Sequence, residues 1–600
     1  MGSPGSMRLE ALGVLSEGEN APRSRAAWPW AAMLGTAAFV ALWLGNLPYR
    51  QAYQPPDDDI SALADGLLLL PGAQWHDWFT QGHSHFFDAY PEWSPHRTAF
   101  ARPVFQALIY AAHFVLGHDW AAYLAINYLA IAGVAAIAFA IARNALRLSP
   151  ATALIAALLV LASPAVLEAS IWELGFASES VAAFLIGCAF LALLARRDLL
   201  CVALLLIALF TKETALWAPL AAALSVVLRA GEENSVQRWS KSAAMLAPLA
   251  IWCGFRLVFY GGISGTYATA GYTSIADFLT LTSWKLEHLH NIFVQQAVVA
   301  ADGISGRVDR ILRLAALLSV LCLTLWWFVT SLRAAGAELA TALRRQRWPE
   351  ADGAMLAGIW AALGLAFYFA LPLFNSRYAA AAVLFAWPAM AGAVAHRNRR
   401  AAALALIACC VLSLGRSGAF IAGMNPPSEL SEMGQFFRSA RSLNAALRTV
   451  PTNIDQVYVL FAYGMDIVDP AYLRALLGIK AELIHVADTS WSSTCQGREE
   501  AIALNHETIE GVVTIRAILP DCAALLFWNA GIDGRMIAQG RLRRSDSITY
   551  DLPDATNGNI GLQAAPDFGR HMTVHIRPRG QARFIIEDRG PGNLTWFDTP

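Results

Sequence analysis

Apolar runs of roughly 15–23 residues recur along the first 420 positions, and a hydrocarbon core about 30 Å thick takes about 20 apolar residues per helix. A chain built this way folds as a polytopic helical membrane protein. Composition agrees: 56% of residues are hydrophobic and 15% charged, against about 25% charged in ordinary globular chains. That excludes a cytosolic enzyme, a disordered tail protein and a secreted disulfide scaffold. The formal net charge of -1 gives no sign of a nucleic-acid partner.

Residues 1–27 are polar and read as a disordered cytoplasmic N-terminus. Trp28–Leu47, preceded by Arg23 and Arg25, is longer than the apolar core of a signal peptide and reads as an uncleaved anchor. The polar stretch 48–102, rich in Trp, Tyr, Phe and His, has the make-up of an interfacial loop. The run Pro103–Gly117 then decides the topology. If it crosses, Arg143, Arg147, Arg196, Arg197, Arg229, Arg238, Lys241, Arg333, Arg344, Arg345, Arg347, Arg397, Arg399 and Arg400 all fall outside. If it does not, all of them fall inside, as the positive-inside rule requires. The run is short, and Gln106, Tyr110 and His113 draw one polar stripe along it, so it reads as a helix lying in the interface.

Residues 28–423 then form a membrane module of about eleven spans, with residues 48–117 as a large outer loop. Further spans are expected at Trp120–Ala142, Pro150–Leu167, Ser180–Ala195, Ser242–Gly261, Ile311–Leu332, Ala354–Leu373, Tyr378–Ala395 and Ala401–Gly423. The run Leu199–Leu228 is interrupted by Lys212 and Glu213. A charge at the bilayer centre costs at least a few kcal/mol, and both ends of the run are basic. It is therefore expected to be a hairpin of two short helices whose apex, Phe210 to Thr214, reaches outer-face water or a cavity.

Residues 424–600 have ordinary charge, Pro and Gly content and read as an extracytoplasmic α/β or α+β domain. Gln456–Ala462, Val512–Ile518 and Ala523–Trp528 are its expected strands. Of the eight cysteines only Cys495 and Cys522 fall in this tail. In an oxidising space they are a candidate disulfide, against the alternative of two free thiols.

Four groups carry candidate chemistry. Asp57, Asp58 and Asp59 follow Pro55-Pro56 just beyond the first span. Adjacent carboxylates repel one another, which favours keeping a proton on one of them and suits a general base for a hydroxyl. Asp57 and Asp59 would equally hold a divalent cation, and a solvated acidic turn is the plain alternative. Lys212-Glu213 at the hairpin apex would bind a lipid phosphate; a snorkelling lysine paired with its neighbour is the alternative. Arg377-Tyr378 lies in a tight outer turn, where a guanidinium suits phosphate bidentately. Arg102 and Arg256 are weaker members of the same set. His76, His83, His85 and His96 with Asp77, Asp88 and Glu92 contain a His-x-His zinc pattern of loose spacing, more simply an interfacial loop. No Gly-x-Ser-x-Gly, Gly-Lys-Ser/Thr or dinucleotide fingerprint occurs.

Taken in order, these residues resemble the GT-C superfamily of integral-membrane glycosyltransferases, which includes protein O-mannosyltransferases and the lipid A aminoarabinose transferase. The resemblance rests on Asp57-Asp58-Asp59 after the first span, Arg102-Pro103 opening an interfacial helix, and Ser163-Pro164 with Glu168 and Trp172. It continues through Phe210-Thr211-Lys212-Glu213-Thr214 and Asn375-Ser376-Arg377-Tyr378. It implies a polyprenyl-phosphate-linked sugar donor. It also implies inverting transfer to an acceptor hydroxyl of a cell-envelope glycan, lipid or protein, with one Asp of the triplet, Asp58 first, as base. Lys212 and Arg377 would hold the leaving lipid phosphate, with Glu213, Tyr378, Arg102 and Arg256 around them. No cofactor is required on this reading. The Ala- and Arg-rich composition suits a bacterial inner membrane, with the tail in the periplasm. Two other readings are a metal-dependent transferase and a flippase or transporter of lipid-linked glycans. Paired interrupted helices would mark the transporter, and the chain has a single charged interruption, at Lys212-Glu213.

Overall fold

A computed structural model describes residues 27–53, 74–80, 102–167, 177–229, 235–260, 275–287, 289–293, 353–371, 375–395 and 399–423. It also describes short runs and single positions at 55, 63, 66–69, 174, between 311 and 333, and at 478, and ten strands beyond residue 455. The expected disordered N-terminus (residues 1–26), Asp57–Asp59, His83, His85 and His96, Glu168 and Trp172, and Cys522 lie outside the described residues, as does most of the expected span Ile311–Leu332.

Two compact units divide the chain. The first comprises Met1–Leu47, Phe100–Ala107 and Ala122–Asn425; the second comprises Pro48–Ala99, Leu108–Ala121 and Pro426–Pro600.

The helices are α1 (Ala27–Gly45), α2 (Leu47–Ala52), α3 (Asp77–Thr80), α4 (Pro103–Leu116), α5 (Leu124–Asn144), α6 (Pro150–Leu161) and α7 (Ala177–Leu194). They continue as α8 (Asp198–Thr211), α9 (Ala218–Leu228), α10 (Ser235–Tyr260), α11 (Ile275–Glu287), α12 (Gly353–Ala370), α13 (Ala380–Ala395) and α14 (Arg399–Gly423). Among the described residues five helical segments are long and apolar enough to cross a membrane: Ala27–Gly45, Trp120–Asn144, Ala177–Leu194, Val236–Tyr260 and Gly353–Ala370. The chain is a multi-pass helical membrane protein. At 14 residues α4 rises only about 21 Å, short of the hydrocarbon core. Of its expected polar stripe Gln106 is buried and Tyr110 exposed, and Leu108, Phe114 and Val115 are exposed as well. With hydrocarbon outside, an apolar face turns outward and the amide turns in.

Local chemistry sets several ends. Ser149 caps α6, its Oγ accepting from Thr152 N at 3.2 Å, and Pro150 takes the first turn, where its missing N–H costs nothing. The expected segment Pro150–Leu167 is interrupted after Leu161, because Pro164 has no N–H to continue the ladder, and helix resumes over 164–167.

At the centre of the first unit α5 packs on α1, α6, α7 and α13. Lipid provides no hydrophobic drive between helices, so close packing and hydrogen bonds across helices hold the bundle. Trp387 Nε1 on α13 donates to Ser163 Oγ at 2.7 Å. Trp360 Nε1 on α12 donates to Ser225 Oγ on α9 at 2.9 Å. Ser417 Oγ on α14 donates to Ala162 O at 2.6 Å. Phe190, Trp217, Trp360 and Phe385 form one aromatic cluster, with centroids 5.1–6.4 Å apart.

Close approach also fixes the start of α12. A Cβ on Gly353 would meet the backbone oxygen of Ala145 and lie 2.9 Å from its Cα. Backbone cannot rotate out of the way, so Gly353→Val is expected to destabilise the bundle by about 1–3 kcal/mol. A fall in the midpoint of thermal unfolding in detergent checks this; an unchanged midpoint would show that the α5–α12 approach is slack.

Residues 199–228 form the expected hairpin. The α8 arm ends at Thr211, Lys212 is extended (φ -159, ψ 132), and a 3-10 turn over Glu213–Trp217 leads into α9. At the other end of the hairpin Arg229 Nη1 meets Asp198 Oδ1 at 3.2 Å, and Lys241 Nζ on α10 meets Asp198 Oδ2 at 3.5 Å. The two basic ends are thus brought together.

In the tail, β1 (Gln456–Val459) pairs in parallel with β2 (Glu482–His485) and β6 (Ala523–Leu526). A second sheet has the order β3-β4-β5-β8-β7, from β3 (Ser490–Cys495), β4 (Arg498–Ile509), β5 (Val512–Ile518), β7 (Ser547–Leu552) and β8 (His571–Pro578). Its β7–β8 pair is parallel and the rest antiparallel. Strands β9 (Ile585–Ile586) and β10 (Phe597–Asp598) make a short ribbon. β5 occupies the expected segment, and β1 and β6 lie within the expected segments Gln456–Ala462 and Ala523–Trp528 and begin at the same residues. Cys495 ends β3.

Candidate functional site at the hairpin apex

Lys212 leaves α8 in an extended conformation and is buried against charge. Its Nζ lies 3.2 Å from Glu179 Oε1 and 3.6 Å from Glu213 Oε1. Glu179 sits in the first turn of α7, where the positive helix end favours a carboxylate. It also accepts from Thr214 Oγ1 at 2.7 Å. Lys212 and Glu179 side chains are only 5% and 4% exposed, so the pair is out of bulk water.

Glu213 carries the second half of the cluster. Arg102, at the entrance to α4, grips it with Nη2 at 2.9 Å and Nε at 3.3 Å, a two-point guanidinium–carboxylate contact. Arg256 on α10 lies within the field of Glu213 and is held between the rings of Trp252 and Tyr260, 5.3 and 5.2 Å away. Those aromatics are one helical turn on either side of it, so one helix face makes the sandwich. Glu213 lies in the turn between the hairpin arms. Burial alone would raise its carboxyl, but the charges of Arg102 and Lys212 win and hold it well below the usual carboxylate range.

Arg377 and Tyr378 enter through the ring of Tyr378, whose centre lies 5.8 Å from Lys212 Nζ and 5.2 Å from the Arg377 guanidinium. Arg377 Nη2 also donates to Tyr378 Oη at 3.4 Å. Their 3-10 turn, Ser376–Ala379, leads into α13.

The six described residues expected from sequence, Arg102, Lys212, Glu213, Arg256, Arg377 and Tyr378, thus converge in one unit from four separate stretches of chain. Glu179 and Thr214 were not anticipated. An acid in the first turn of an apolar helix signals a dipole partner, but nothing local ties it to a lysine 33 positions later. Among the described residues the cluster holds four cations, Arg102, Lys212, Arg256 and Arg377, and two carboxylates, Glu179 and Glu213. Among the described residues no group of three His, Cys, Asp or Glu is placed to hold a metal. His76, from the expected histidine set, contacts Asp77 at 3.3 Å.

No protein-family model matches the chain, and no curated protein matches it. Solved structures do. A crystal structure of ArnT from Cupriavidus metallidurans bound to undecaprenyl phosphate is similar at 15% identity and a TM-score of 0.44, covering 77% of this chain and 86% of that one. The apo state of the same protein gives 14% identity and a TM-score of 0.41, covering 77% and 87%. The oligosaccharyltransferase AglB from Archaeoglobus fulgidus, in complex with an inhibitory peptide and a dolichol-phosphate, gives 12% identity and a TM-score of 0.38, covering 77% and 65%.

Proposed function

We propose that the chain is a GT-C-type membrane glycosyltransferase that moves a sugar from a polyprenyl-phosphate donor to an acceptor hydroxyl at the periplasmic face of a bacterial inner membrane. The observation that carries this reading is the charge balance at the hairpin apex. A polyprenyl-phosphate sugar is a phosphodiester with one negative charge, and the released polyprenyl phosphate is a monoester with up to two. Among the described residues Arg102, Lys212, Arg256 and Arg377 outnumber Glu179 and Glu213, and the Asp57–Asp59 carboxylates, assigned to the acceptor proton, stand outside that count. A preorganised excess of this kind stabilises charge as it develops on the leaving group.

The acceptor oxygen attacks the anomeric carbon, and a carboxylate of Asp57–Asp59, Asp58 first, takes the hydroxyl proton. The bond from the anomeric carbon to the phosphate oxygen breaks with inversion, and the electron pair leaves on the phosphate. Lys212 and Arg377 receive that charge. Glu179 and Glu213 keep Lys212 in place, and Arg102 keeps Glu213 occupied so that its carboxylate is offset locally. The strand-bearing tail is, on this reading, periplasmic.

The test is direct. Purified protein given a polyprenyl-phosphate sugar and a membrane-envelope acceptor fraction is expected to release free polyprenyl phosphate in step with sugar incorporation. Movement of intact donor across vesicles without release would identify a transporter instead.

A further inference from the structure

Lys285 is a buried cation that the chemistry above does not use. It lies near the end of α11, in the segment between α10 and α12, and is 1% exposed. Among the described residues no carboxylate pairs with it. Its Nζ instead donates to Tyr368 O at 2.7 Å and to Leu371 O at 2.5 Å, and lies 4.8 Å from the centre of the Tyr368 ring. These carbonyls are at the C-terminal end of α12, where the helix end carries partial negative charge that favours a cation. Burial lowers the Lys285 ammonium to about 8, so at neutral pH the nitrogen still carries its proton and donates.

The place of this contact matters. Leu371 is six residues before Arg377. The 3-10 turn that follows α11, Leu289–Ile292, packs against the 3-10 turn Ser376–Ala379 that carries Arg377 and Tyr378. One residue further on, Phe293 is 1% exposed and meets Trp387 of α13 edge-on at 5.4 Å. The α11 segment therefore touches the end of α12, the turn itself and the body of α13.

We infer that Lys285 is a positioning residue: its ammonium ties the end of α12 to α11 and so sets the turn that presents Arg377 and Tyr378 to the lipid phosphate. It acts through Arg377 and Tyr378 and touches no reacting atom. The inference rests on the proposed role of Arg377 in phosphate binding.

The test is a double-mutant cycle with undecaprenyl monophosphate as the probe, its affinity measured on the full chain in detergent. Lys285→Met is expected to weaken binding about tenfold. Arg377→Ala is expected to weaken it more, and the double variant to lose no more than Arg377→Ala alone. Additive losses in the double variant would overturn the inference, because Lys285 would then act independently of the turn. So would unchanged affinity in Lys285→Met while Arg377→Ala loses it. Unchanged affinity in Arg377→Ala would instead strike at the proposed phosphate site. Should Lys285→Met not fold, Lys285→Gln, which keeps an N–H donor without the charge, takes its place in the same cycle with the same expected outcome.

Discussion

Lys212→Met is expected to lower sugar transfer by about 10²–10³-fold, the loss typical when one preorganised stabiliser of developing charge is removed. The argument starts from its surroundings. The lysine nitrogen lies between two carboxylates and beside the Tyr378 ring, almost wholly out of water. Removing one member of a buried ion pair costs about 3–5 kcal/mol, because the partner is left as an isolated charge. Glu213 retains Arg102, so the stranded group is Glu179, which keeps the hydrogen bond from the Thr214 hydroxyl. The double change Lys212→Met/Glu179→Gln removes that stranded charge and is expected to restore thermal stability but not transfer. Measuring both quantities on both variants separates the chemical role from the structural one. Normal transfer in Lys212→Met would remove the apex from the mechanism.

The second large effect concerns the acidic triplet. Replacing Asp57, Asp58 and Asp59 together by Asn is expected to cost about 10²–10⁴-fold in transfer, the usual contribution of a positioned general base. Affinity for undecaprenyl monophosphate should change little, since the triplet is assigned to the acceptor proton and not to the phosphate. The two experiments thus differ in kind: Lys212→Met loses both binding and turnover, whereas the Asn variant loses turnover alone. Asp58→Asn by itself then asks which carboxylate takes the proton. A triple variant with wild-type turnover would eliminate the triplet as base.

The bundle was legible in the sequence because each helix in lipid must satisfy its own backbone, so the length of an apolar run determines whether a segment can cross. The hairpin was legible for the same reason: Lys212 and Glu213 in the middle of an apolar run, with basic residues at both ends, leave few other solutions. Residue types also marked Arg102, Arg256, Arg377 and Tyr378 as ionisable or aromatic groups in unusual places. What the sequence could not determine was which of these groups meet. The Arg102–Glu213 contact joins residues 111 positions apart, and Glu179 reaches Lys212 only because α7 and α8 pack side by side. Lys285 and the Tyr368 carbonyl it donates to are 83 positions apart. Gln106 turned inward although its stripe suggested a wet face. Hydropathy and charge position act along the chain and can be read there. The rotation of each helix about its own axis is set by packing against its neighbours, and only the folded bundle decides it.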